Sequence, residues 1–287
     1  MDEGEVDSNC ETGFTLVKYK RRLKYKKKNV LGNGNINDEC SYDNIGDIMR
    51  RFRESQLLIR NSEQLNYFVN AINKSITLLN ANKEVGNNFI KDIVCYGIGK
   101  FSGSHQAMHQ LALLIQFKHL YNTPVHIFDP VLSQTEREIL MNLGLNIISY
   151  NEEGKRKVDV VTLFFLPHCP RELLNNILFT NWGHSLCKCI IISNSHCRII
   201  TDSPSSALHN YKYITEITPA IQQIHIPNIY RLTDVFNDMA VHYFPIEELE
   251  TVSDDVWRYN EHPVYSKHYS EFIDCVRANR PLEQPPS

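Results

Sequence analysis

No stretch of the 287 residues approaches the roughly 18 to 20 uncharged apolar positions that a membrane-spanning helix needs. The N-terminal region runs acidic and then basic, so it also lacks the apolar centre of a secretory signal. The expectation is a cytoplasmic chain that neither crosses a membrane nor is exported by such a signal. Cysteine is too sparse and scattered for a disulfide-stapled scaffold: the eight lie at 10, 40, 95, 169, 187, 189, 197 and 275, and read as reduced, intracellular thiols. A large charge of one sign is missing too, since the formal net charge is -3. With 42% hydrophobic, 10% aromatic and 22% charged residues, a collagen, a coiled-coil rod and full-length disorder are excluded.

The near-neutral total hides an asymmetry. Lys18 to Lys28 (KYKRRLKYKKK) holds eight Lys/Arg and no acid, while Met1 to Val17 holds five acids and no base. The remainder, Asn29 to Ser287, carries 22 bases against 28 acids, so direct nucleic-acid binding is not expected outside the basic run. That run reads either as a solvated charged arm or as a nuclear-import or anionic-surface contact, and nuclear entry stays open on that account.

Residues 1–40 have too little apolar surface to offset their ordering entropy and read as a disordered tail. From 41 to 86, Ile45, Ile48, Met49, Phe52, Leu65, Phe68, Val69, Ile72, Ile76 and Leu79 recur at three- and four-residue steps, predicting two amphipathic helices that form a leader packed on the main domain. Gly86-Asn87-Asn88 marks the boundary. Continuous apolar runs then alternate with helical patterns: DIVCYGIG (Asp92 to Gly99), a helix from Ser104 to Tyr121, PVHIFDP (Pro124 to Pro130), a helix from Ser133 to Leu143, a strand from Leu145 to Ser149, VVTLFFLP (Val160 to Pro167), a helix from Pro170 to about Asn181, and CIIISN (Cys189 to Asn194). Strands buried on both faces, joined by helices, predict a doubly wound, mostly parallel α/β sheet of Rossmann-like type over 87–250. Ile221 to Pro227 and Asp234 to Pro245 are further strand candidates, and 251–287 reads as a partly disordered extension.

Gly97-Ile98-Gly99-Lys100-Phe101-Ser102-Gly103 falls where the first strand hands over to the first helix, the place where backbone N–H groups can approach a phosphate or ribose. Its G-x-G-x-x-x-G spacing is one residue longer than the dinucleotide fingerprint, and Phe101 after Lys100 excludes a standard P-loop. Asp129 ends the second strand, where nucleotide-binding sheets carry a ribose-binding acid. Gly97, Gly99, Gly103 and Asp129, with Asn194 and Ser195 at the end of the fourth strand, therefore outline a pocket for an adenine nucleotide or S-adenosylmethionine. The plain alternative is that the glycines only make a turn and Asp129 caps the next segment.

Pro167-His168-Cys169-Pro170 follows the FFL strand, with Pro170 expected at the first helical position and Cys169 beside the helix N-terminus. Positive partial charge there is expected to lower the thiol pKa. A Cys-Pro pair beside His also suits an axial haem ligand, with structural capping as the alternative. His184, Cys187, Cys189, His196 and Cys197 have zinc-site residue types, but a strand from Cys187 to Asn194 at roughly 3.3 Å per residue would hold Cys187 and His196 too far apart for one metal. His105 and His109 lie one turn apart without the intervening Glu of a metalloprotease. Ser195 lacks a G-x-S-x-G surround, so a serine hydrolase is a poor reading.

In order, VCYGIGKFSGSHQAMHQLALL, PVHIFDPVLSQTE, TLFFLPHCP, LFTNW, IIISNS and FNDMAVHYF resemble the sensitivity-to-red-light-reduced (SRR-like) family, over about Val94 to Phe244. The motif positions shared are Gly97, Gly99, Gln110, Asp129, Pro130, Pro167, His168, Cys169, Pro170, Asn181, Trp182, Asn194 and Ser195. The resemblance implies regulation of haem biosynthesis and of circadian-clock gene expression, and haem contact at Cys169 or His168. It points to no established catalytic residue. Two readings follow: a regulator that senses haem and signals to unidentified regulatory proteins, which is preferred, and an enzyme dependent on a nucleotide or S-adenosylmethionine, such as a methyltransferase.

Overall fold

The computed structural model describes residues 45–80 and 90–265. The expected tail, the Gly86-Asn87-Asn88 boundary and the C-terminal RPLEQPPS lie outside these. Helices α1 (Ile45–Arg60) and α2 (Glu63–Asn80) open the described chain. There follow β1 (Asp92–Tyr96), α3 (His105–Tyr121), β2 (Val125–Phe128), α4 (Gln134–Asn142), β3 (Asn146–Ile147), β4 (Thr162–Phe165) and α5 (Arg171–Thr180). A 3-10 turn at His184–Lys188 leads to β5 (Cys189–Asn194). The short helices α6 (His196–Thr201), α7 (Ser205–Leu208) and α8 (Lys212–Glu216) precede β6 (Gln222–His225) and β7 (Met239–Tyr243). Helices α9 (Ile246–Thr251) and α10 (Asp254–Arg258) end it. Among the described residues, no helix is long and apolar enough to cross a membrane.

The strands form one seven-stranded sheet in the order β3-β2-β1-β4-β5-β7-β6. The pairs from β3 through β5 are parallel, and β7 lies antiparallel between β5 and β6. This is a doubly wound α/β fold whose strand order reverses between β1 and β4, the switch point where such sheets take ligands. The central strands β4, β5 and β7 are buried at nearly every position, which is why they appear as unbroken apolar runs.

One face of the sheet carries α1 to α4. Ile48, Phe52, Ser55 and Ile59 point inward from α1 at helical spacing, and Phe68 of α2 meets Phe117 and Phe236 edge-on at 6.1 and 5.5 Å. The other face is covered by α5, α8 and α9 around Phe164, Leu173, Ile177, Tyr213 and Phe244. Two local expectations need correcting. Pro170 is the N-cap of α5, with ψ 151, and Arg171 is its first helical residue. The strand expected from Asp234 begins only at Met239, because residues 226–238 form an irregular strap fastened to α3.

Candidate functional site

In a parallel sheet, β1, β2, β4 and β5 all deliver their C-terminal ends to one edge. The residues following them form a rim there: 97–104, 129–132, 166–170 and 194–195. Gly97 and Gly99 have φ 72 and 79, left-handed conformations that a side chain disfavours, so glycine is required at both for the chain to turn off β1.

Four backbone donors of this turn are already engaged. Gly97 N donates to Phe128 O at 3.1 Å. Gly99 N donates to Asp129 Oδ2 at 2.7 Å, and Ser102 N to Glu136 Oε1 at 2.8 Å. Asp129, only 2% exposed, also accepts Val131 N through Oδ1 at 2.9 Å. The would-be anion cradle thus holds two carboxylates of the chain itself, and Asp129 clamps the β1 turn to the end of β2. Gly103 ends the loop, bonded to Lys100 O.

Glu136 is a residue that motif reading missed. Its Oε2 closes the capping box of α4 with Ser133, a pattern legible as S-x-x-E. The reach of its other oxygen to Ser102 depends on packing between separate elements.

The thiol of Cys169 turns inward and donates to Tyr96 O at 3.0 Å, with Pro167 O and Gly97 O at 3.8 and 3.9 Å. Burial pushes its pKa well up, and the Asp129 carboxylate adds to the rise. The expected lowering by the α5 N-terminus is therefore overturned: desolvation beside carbonyl oxygens outweighs a partial helix charge. His168, exposed and at φ 53, sets its Nε2 3.1 Å from Val235 O. As donor there, Nε2 leaves Nδ1 as the ring's acceptor. Val235 O also accepts Gln110 Nε2 at 2.9 Å, so the PHCP segment and α3 share one anchor on the strap.

Beside this segment lies a cleft of about 680 Å³, between the ends of β4 and β5 and helices α5 to α7. Cys169, Pro170, Arg171, Asn194, Arg198 and Tyr211 are among its lining residues. Arg198 reaches Asp238 at 3.3 Å across the β5–β7 seam, and Asn194 Oδ1 is buried without a hydrogen-bond partner. The positions predicted from sequence therefore divide. Gly99 is hydrogen-bonded to Asp129, and Tyr96 O and Gly97 O face the Cys169 thiol. Asn194 shares the cleft with Cys169, whereas the glycine turn and Asp129 do not line it. Ser195 is buried and held by Asp238 O at 2.9 Å through its N–H.

Other polar candidates have internal partners. His105 Nε2 meets Asp234 Oδ2 at 2.9 Å, and His109 Nδ1 meets the Tyr230 hydroxyl at 2.8 Å, so these two do not share a ligand. Cys187 lies in the 3-10 turn rather than in the strand assumed for it. Among the described residues, no group of three or more His, Cys, Asp or Glu side chains is placed to hold a metal ion.

The family model described as the SRR1 domain matches residues 59–243. It reaches back to take in α2, further than the motif resemblance that starts at Val94. The chain is 34% identical over 170 residues to an SRR1-like protein of Drosophila melanogaster, covering 58% of this chain and 60% of the relative. It is 38% identical over 134 residues to an SRR1-like protein of Mus musculus, covering 45% and 54%. Against the Protein SENSITIVITY TO RED LIGHT REDUCED 1 of Arabidopsis thaliana it is 36% identical over 115 residues, covering 39% and 42%. The chain thus spans about half the length of the curated relatives it matches. With well over half of its residues inside the SRR1 domain, the glycine turn and PHCP segment among them, the chain belongs to the SRR1 family.

Proposed function

We propose that this SRR1-family chain is a regulator that binds haem in the cleft beside Cys169 and signals that state to partner proteins, and that its rim binds rather than catalyses. The role in haem biosynthesis and clock-gene expression that the family resemblance implies is part of this reading. The observation that carries it is the cleft of about 680 Å³, which has Cys169 in its lining together with Arg171 and Arg198. Its size lies within the ~300–1,000 Å³ usual for small-molecule sites. The lining offers haem a soft sulfur for iron, the Arg171 guanidinium for a carboxylate side arm and the Tyr211 and Tyr265 rings for a flat ring. Arg198 would have to exchange its pairing with Asp238, and the side arms would have to avoid Glu172 and Asp202. Haem would supply an iron centre whose coordination reports ligand state.

Cys169 must first give up its proton and its bond to Tyr96 O, so binding through sulfur competes with the thiol's raised pKa. Below that pKa the thiolate fraction rises about tenfold per pH unit. Haem affinity should therefore increase as pH rises, and Cys169→Ala should abolish both the thiolate-type Soret band and the pH dependence. Identical spectra and affinities for the two proteins at all pH values would refute sulfur ligation at this site.

The adenine-cofactor reading draws support from the strand order, with its switch point beside the Gly97 turn. Against it stands the engagement of both Asp129 oxygens with backbone N–H groups. Calorimetry of the intact protein with S-adenosylmethionine and adenine nucleotides separates the readings: heat lost in Asp129→Asn would favour a cofactor enzyme.

A further inference from the structure

Both tryptophans of the chain, Trp182 and Trp257, meet on one surface away from the rim. Their rings are 4.9 Å apart, edge to face. Trp182 also stands 4.9 Å from Tyr213, which is 5.3 Å from Tyr259. Tyr213 is buried and forms the floor; Trp182, Trp257 and Tyr259 remain partly exposed above it. Large aromatic rings left half in water, on a rigid base, are the typical anchors of protein interfaces.

The surroundings decide the partner's charge. The segment Ile246 to His262, which carries Trp257 and Tyr259, holds six carboxylates against one Arg/Lys side chain, and that Arg258 is already tied to Asp255 at 2.9 Å. Glu250, Asp254, Asp255 and Glu261 are exposed. One ring already receives a cation: Lys212 Nζ lies 3.6 Å from the centroid of Tyr259, whose hydroxyl donates to Glu261 at 3.1 Å. Ring faces flanked by carboxylates attract ammonium and guanidinium groups and repel nucleic acid or an acidic peptide. A neutral apolar partner would leave the carboxylates without compensation.

We infer that the Trp182–Trp257–Tyr259 face docks a Lys/Arg-rich segment of a protein partner. Its basic side chains lie over the aromatic rings and pair with the carboxylates of the α9–α10 region. None of these three rings lines the cleft, so the test of this face is separate from haem binding.

The two tryptophans make intrinsic fluorescence a reporter confined to this face. A synthetic peptide alternating Arg and Ser, free of aromatic residues, is titrated into the full chain at low and high salt, with a Glu-Ser peptide as control. The expected result is a saturable change in tryptophan emission with the basic peptide alone, weakened by salt. Tyr259→Ala should weaken binding about tenfold, and the exposed pair Glu250→Lys with Asp254→Lys should do so while leaving the packed core unchanged. No emission change, equal response to the Glu-Ser peptide, or unaltered binding in the charge-reversed protein would overturn the proposal. A change that depends on protein concentration alone would assign the face to a second copy and also overturn it.

Discussion

Asp129 illustrates how one residue type supports two meanings. An acid at the end of the second strand of a doubly wound sheet suggests a ribose contact, yet here its oxygens hold Gly99 N and Val131 N. Asp129→Ala strands both donors in a buried place and should cost about 2–4 kcal/mol of unfolding free energy, measured by denaturant titration. Asn at the same position keeps an acceptor and should cost less.

Buried imidazoles set the acid limit. His242, 0% exposed, accepts His196 N at Nε2 and places its Nδ1 3.1 Å from Ile191 O, an arrangement that uses the neutral ring. Burial drives its pKa down to about 3, and His196 nearby adds to the fall. Burial also lowers His196 and His109. In the unfolded chain these rings take up protons near their ordinary value of 6.5, whereas the folded protein holds His242 neutral down to about 3. Stability should therefore be full above about pH 6.5 and decline as pH falls toward 3, at up to about 1.4 kcal/mol per pH unit from His242, with His196 and His109 adding to the fall below 6.5. Thermal unfolding across this range checks it, and His242→Gln should flatten the slope.

At the scale of elements, α3 explains why the leader helices pack where they do. Its sequence HQAMHQLALLIQFKHLY is apolar nearly all round, and residues 107–115 are buried. A helix apolar on every side needs cover beyond the sheet. α1 supplies it, and the strap at 226–238 caps the helix's first turns through Asp234 and Val235. Phe52→Ala, which removes an inward ring of α1, should destabilise by about 3–5 kcal/mol in denaturant unfolding. Ser133→Ala should cost about 1 kcal/mol, as is usual for a lost cap, because the Ser133 N–H still holds Glu136 toward Ser102.

For the whole molecule, the two helical layers and the sheet should unfold as a unit. A fragment of residues 86–265 removes α1 and α2 but keeps α9 and α10, and so uncovers Phe117, Phe236 and the outer side of α3 alone. It should bind a hydrophobic dye and lack the sharp thermal transition of the full chain. The family model, which starts at residue 59 and includes α2, agrees with counting that helix as part of the domain.

Local pattern was enough for β1 to β5 and for helices α1 to α5, but not for the short helices α6 to α10 or the start of β7. Unbroken apolar runs of four residues at β1, β4 and β5, separated by helical periods, leave a parallel, double-sided sheet as the arrangement that buries them. The turn at Gly97 and Gly99 and the capping box at Ser133 were equally legible, because backbone conformation and short-range hydrogen bonds act within a few residues. What tertiary structure alone decided is which groups remain available. The Cys169 thiol faces three carbonyl oxygens, Asp129 and Glu136 fill the turn, and the cleft opens one strand to the side, at β4 and β5. Each outcome rests on desolvation and on contacts between residues about 30 to 75 positions apart, and no local pattern encodes those.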